Sequence, residues 1–197
     1  MSKQKNTETA NIPDEKAYLA AALAVAADLD WDMVSLRDIA EQAGGDLAGL
    51  HGYFRDKADI SYAIGRLIDE RVLKNLPEPD IEASPKERLF EILMERFDVL
   101  QDMRPAVLSM VRSVMRDPKQ GLFAASNLCR SMTWMLELAG LDTIGMKGAV
   151  RVAGLTAVYV QVLRIWARDE SEDMSATMAA LDKSLGKAEG LANRFSF

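Results

Sequence analysis

The sequence predicts an all-α protein, and three observations carry that reading. Apolar residues recur at spacings of three and four through most of the chain. No segment alternates with the period of two that a half-buried strand shows. Glycine or proline interrupts the periodic stretches where helices should stop. With 197 residues, 49% hydrophobic and 27% charged, the chain has the balance and length of a globular protein with a core.

Residues 1–13 read as a polar arm, whose Lys3 and Lys5 are either part of a disordered terminus or able to reach a nucleic-acid backbone. Pro13, Asp14 and Glu15 open the first helix, with acids where the helix dipole favours them. Tyr18, Ala22, Val25 and Leu29 form its buried stripe, and Trp31 and Met33 are expected to close the bottom of a small bundle. From Ser35 to Lys57 the chain reads as two short helices about a glycine turn. Leu36, Ile39, Ala40 and Ala43 share one face, Gly44–Gly45 end the first helix, and Asp46 caps the second. Leu47, Leu50 and Phe54 give that second helix its own apolar face. This is a helix-turn-helix.

From Leu36 to Ile60 the run LRDIAEQAG, a turn, a short helix ending in YF, then DK and an apolar residue resembles TetR-type transcriptional regulators. The match needs no gap and takes in the helix around Tyr18–Leu29. It implies a TetR-like, two-part protein. A helix-turn-helix domain is expected at 12–58, and a larger helical ligand-binding and dimerisation domain at 60–197. Lys57 matches a phosphate-contacting lysine of the family, and His51 stands where an aromatic is usual. Within the motif, Arg37, His51, Tyr53, Arg55 and Lys57 are the side chains able to donate to DNA. Gly49 and Gly52 offer none, which leaves a thin reading surface. His51 serves either as a phosphate contact or as packing beside Leu47 and Phe54.

LPEPDIEASP, residues 76–85, breaks every helical pattern. Helices are expected beyond it at Lys86–Met103, Ala106–Arg116 and about Gln120–Leu138. Met94, Phe97, Met110, Met132, Trp134 and Met135 fall in these segments, either as ordinary core or as the lining of a pocket for an apolar small molecule or lipid. Arg112 and Arg116, one turn apart, are either solvated or set to receive an acidic head group. Gly148–Arg168 is apolar nearly all round, which demands burial on several sides. Ser175–Arg194 carries one apolar stripe. In TetR-like proteins the last two helices pair with those of a second copy, which implies a homodimer through Leu155, Val158, Val162, Met178, Leu181 and Leu185. RIWARDESEDMSATMAALDKSL, Arg164–Leu185, is similar to the end of TetR-fold lipid-binding proteins of ubiquinone biosynthesis. That resemblance implies a rival reading, a lipid binder without DNA.

Other function classes find little support. One histidine and one cysteine, Cys129, leave neither a nucleophile–base pair nor a zinc ligand set, so the chain reads as a non-enzyme without a metal or cofactor. No signal peptide is visible, and Ala149–Trp166 is interrupted by Arg151, Gly154, Gln161 and Arg164. No stable membrane insertion and a cytoplasmic location are the expectation. Charge is the discordant feature. Residues 1–60 hold six Lys/Arg against eleven Asp/Glu, most of the net −6, in the part expected to face a polyanion.

Overall fold

Residues 13–76 and 82–195, described in a computed structural model, form nine α-helices and one 3-10 turn, with no strand among them. Helix α1, Glu15–Asp28, starts where Asp14 accepts a hydrogen bond from the Ala17 amide at 2.8 Å. The 3-10 turn Trp31–Met33 leads to α2, Leu36–Gln42, held at its start by a reciprocal capping box between Ser35 and Asp38. Next come α3, Leu47–His51, and α4, Lys57–Asn75, capped by Asp46 and Asp56. The larger part holds α5, Pro85–Gln101, α6, Arg104–Arg116, and α7, Pro118–Leu138. Helices α8, Gly145–Trp166, and α9, Ser175–Phe195, complete it. Residues 77–81 of the expected break at 76–85 lie outside the described residues. On its far side Ser84 and Glu87 make a second capping box and Pro85 takes the first helical position.

One connected apolar core runs through the small N-terminal part, the head, and the larger part, the body. In the head, Tyr18, Ala22, Ile39, Leu50, Phe54 and Ile60 are buried. In the body, Leu93, Phe97, Met132, Met135, Trp166 and Leu181 are fully enclosed, with Phe97 stacked on Tyr159 at 5.3 Å. The expected stripe of α1 is shifted. Leu29 is half exposed and Met33 is 76% exposed, while Trp31 and Val34 turn inward from the loop.

Helix α6 lies along α1 and clasps the loop that follows it. The Ser109 hydroxyl accepts from the Trp31 amide at 2.7 Å and donates to the Leu29 carbonyl at 2.9 Å. Arg112 and Arg116 reach Asp30, Arg116 also reaches Asp32, and Ser113 donates to Asp32. These arginines therefore grip the head. Asp30 and Asp32 belong to the acidic excess of the first sixty residues, and part of that excess is neutralised by cations more than eighty residues away.

Asp169 organises the charged turn before α9. It accepts from the amide and hydroxyl of both Ser171 and Thr177. Burial alone would raise its pKa, but these hydrogen bonds outweigh burial and hold the carboxyl far below the usual range.

Candidate nucleic-acid interface

The helix-turn-helix is built by local chemistry. Helix α2 ends in a Schellman motif, with the Gly45 amide on the Ala40 carbonyl at 2.9 Å and the Gly44 amide on Glu41 at 3.0 Å. Gly44 takes φ +73°, a conformation that favours glycine. Asp46 then accepts from the Gly49 amide at 2.8 Å and starts α3.

Gly45 and Gly49 have a second role. A Cβ on either would lie 2.4 Å from the Tyr18 hydroxyl. Tyr18 is fully buried, its ring lies 5.9 Å from Tyr53, and its hydroxyl has no hydrogen-bond partner. Burial first, then Asp46 and Tyr53, raise its pKa. Gly49 thus faces inward onto α1. It is not a vacant base-reading position; the two glycines admit the tip of a tyrosine so that α3 can sit close to α1.

What α3 turns outward is Leu47, Ala48, His51 and Gly52. His51 is exposed, which settles the choice between packing and solvent in favour of solvent. Leu47 is also partly exposed, so it contributes less to the buried face than its spacing predicts. Tyr53 is half exposed just beyond the helix. Arg37 projects from α2 with only a loose 3.9 Å ion pair to Glu41. Arg55 is exposed but forks onto Asp59, through Nε at 2.7 Å and Nη2 at 2.9 Å.

Lys57 is a correction. Its ammonium donates to the Trp31 and Val34 carbonyls, the latter at 2.7 Å, and lies 4.7 Å from the centre of the Trp31 ring. Burial pulls its pKa down, against the opposing pull of Asp32 and Asp38. It staples the start of α4 to the loop between α1 and α2.

The family model for bacterial regulatory proteins of the tetR family matches residues 19–64, the stretch that builds this motif. The fold is TetR-like, and its N-terminal part is similar to the tetR-family domain. A TetR transcriptional regulator from Nitrosomonas europaea ATCC 19718 is similar with a TM-score of 0.70 and 26% identity, over 88% of this chain and 97% of that one. A TetR transcriptional regulator from Rhodococcus sp. RHA1 gives 0.63 and 16%, over 87% and 93%. A putative TetR-family regulator from Syntrophomonas wolfei str. Goettingen gives 0.59 and 15%, over 90% and 93%. The last two bear on the fold alone. No curated protein matches the sequence.

Elsewhere in this TetR-fold chain the expected site residues divide. Phe97, Met132 and Met135 are fully buried, and Met94 and Met110 are half buried. Trp134 is 58% exposed and leaves the pocket set, because it projects from the outer side of α7. Two open grooves are defined, and neither is lined by the expected residues. One, of about 410 Å³, lies over α1 and α2 beside Asp28, Asp38 and Glu41. The other, of about 550 Å³, runs between the starts of α5 and α9 and includes Phe90 and Met178.

The expected dimer residues also need correction. Leu155, Val158, Val162, Leu181 and Leu185 are all buried within the protomer, where α8 packs on α9; of the set only Met178 is exposed. Helix α8 is not buried all round. It is long and apolar enough to cross a membrane by length and composition. It nevertheless carries Lys147, Arg151 and Arg164 and packs on α7 and α9. Among the described residues no group of three His, Cys, Asp or Glu side chains is placed to hold a metal ion.

Sequence reasoning missed a buried polar cluster in the body, where Arg96 on α5 pairs with Asp69 on α4. The periodicity held the signal. Arg96 sits between Leu93, Phe97 and Leu100 on the apolar side of its helix, where a solvated arginine does not belong.

Proposed function

We propose that the protein is a ligand-responsive transcriptional regulator, a repressor in the cytoplasm that binds double-stranded DNA as a homodimer. The observation that carries this reading is the complete helix-turn-helix with the outward face of α3 uncovered. Arg37, His51, Tyr53 and Arg55 are the donors of that surface, with Arg37 and Arg55 for phosphates and His51 and Tyr53 nearest the bases. The head at 12–58 reads DNA; the body at 60–197 holds the second copy and the effector. Two heads enter successive major grooves, and an effector releases them by changing their separation.

The second copy sits on the face of α8 that the protomer leaves open. Met146 is 81% exposed, and Val150, Ala153, Gly154 and Ala157 continue the stripe at helical spacing. A Cβ on Gly154 would meet nothing within its own protomer, so the glycine answers no internal crowding. The effector is an apolar small molecule received among α5 to α8, where Met132 and Met135 supply adaptable side chains.

The test is binding to DNA from around the protein's own gene, titrated against salt beside a random duplex. The expected result is preference for the native DNA and a steep loss of affinity as salt rises. Absence of binding at low salt overturns the reading.

A further inference from the structure

Four helices bring one polar cluster into the middle of the body: Asp69 from α4, Arg96 from α5, Ser131 from α7 and Tyr159 from α8. All four are buried, Arg96 to within 3% of complete enclosure. Arg96 donates through Nη1 to Asp69 Oδ1, and the Ser131 hydroxyl donates to Asp69 Oδ2 at 2.8 Å. The guanidinium carbon stands 5.3 Å from the centre of the Tyr159 ring, which Phe97 also stacks against. Asp69 therefore has a donor on each oxygen, and the ion pair is complete. Arg96 Nε is buried without a partner.

A buried donor on a charged group is the costliest kind to leave unmatched. The Tyr159 side chain also interacts with the guanidinium, yet Nε itself is buried with no partner of its own. We propose that Arg96 Nε is the polar anchor for the effector, donating to a neutral carbonyl oxygen carried by an otherwise apolar small molecule. Charge decides for a neutral acceptor over an anion. Asp69 already balances the guanidinium, and a buried carboxylate brought to the same place would be a second negative charge with no cation of its own. The neighbours set the rest of the ligand. Leu93 and Phe97 flank Arg96 on α5, and Met132 and Met135 follow Ser131 on α7, all fully buried. Neither open groove is lined by these residues, so the ligand makes its room by displacing flexible methionine side chains. There it rests against Asp69 of α4, the helix that runs into the head and ends in the Lys57 staple.

This inference rests on the ligand-responsive reading above, and the two can fail separately. The full-length protein with 13C-methyl methionine is titrated by NMR with 2-heptanone, heptane and heptanoic acid. The expected result is that 2-heptanone shifts the buried methionine methyls and binds about tenfold or more tightly than heptane. Arg96→Lys keeps a positive charge for Asp69 and has no Nε. It should abolish that preference and leave heptane binding unchanged. A second readout needs no variant: the Arg96 Nε–H resonance of the native protein should move with 2-heptanone and stay still with heptane. Equal binding of ketone and alkane, a preference that survives Arg96→Lys, tighter binding of the acid, or an unmoved Nε–H each overturns the anchor. Apolar binding without that preference leaves the ligand-responsive reading standing. If none of the three probes shifts a methionine methyl, both fall.

Discussion

The exposed faces of α3 and α8 are both poor in charge, and they are poor for different reasons. On α3 the outward residues are Leu47, Ala48, His51 and Gly52, with the cations at the margins and Lys57 withdrawn into the fold. On α8 the open stripe is Met146, Val150, Ala153, Gly154 and Ala157, small and apolar until it reaches Gln161 and Arg164. Under the proposed function, the contrast assigns the two faces different tasks. The few donors of one head would be doubled in a dimer joined through α8, where the second contact is made at high effective concentration. On that reading the apolar face of the body supplements the head.

The severest way to break that comparison is Ala157→Arg. Placed on the open side of α8, the guanidinium should split the dimer while leaving the helical circular dichroism of the protomer intact. Light scattering should then report the mass of one chain, and affinity for the native DNA should fall about 100-fold or more. Leu155→Arg is the contrasting variant. Leu155 is buried inside the protomer, so a charge there should unfold the body and not merely separate two copies. A dimeric Ala157→Arg protein would move the interface off this face.

Gly49→Ala sharpens the description of α3. If Gly49 were an empty outward position, alanine would stabilise the helix by about 0.8–1.0 kcal/mol. Because its side chain would lie 2.4 Å from the Tyr18 hydroxyl, the expected result is a loss of about 1–3 kcal/mol in urea unfolding. Tyr18→Phe in the same chain should recover most of the loss by removing the oxygen. Stabilisation by the single variant would refute the inward assignment.

Local chemistry was the legible part of this sequence. Gly44–Gly45 and Asp46 announce the turn and the cap through residues a few positions apart, and the structure realises both. What stayed hidden depends on partners distant in sequence. Lys57 reads as a free cation until the Trp31 and Val34 carbonyls are brought beside it. Gly49 reads as a gap until Tyr18 arrives from α1. Leu155, Val158 and Val162 read as a dimer stripe because an apolar helix shows how much it buries and not what covers each side. The functional surface was hardest because exposure is decided by the helices that do not cover it.

Lys57→Met separates structural from DNA-facing cations within the head. Two carbonyls would lose their donor, so thermal or urea unfolding should show a loss of about 1–3 kcal/mol. The slope of log affinity against log salt should stay as in the native protein. A flatter slope at unchanged stability would return Lys57 to the interface.

Arg37→Ala has the smallest expected effect on the fold and the cleanest one on binding. Its ion pair with Glu41 spans 3.9 Å, with both side chains 68% exposed, so its loss should barely register in unfolding. Exposure also leaves the guanidinium free to exchange Glu41 for a phosphate when DNA arrives. Each such contact releases about one counterion, and the salt slope should fall by roughly 0.9 per head, about twice that for the dimer. The affinity lost should be nearly the same for native and random duplexes, since a phosphate contact carries no sequence information. His51→Ala provides the opposing measurement. It sits on the outward face of α3, and its loss should weaken native DNA more than random DNA. Should Arg37→Ala leave the slope unchanged while Lys57→Met flattens it, the withdrawn and outward cations have been assigned the wrong way round.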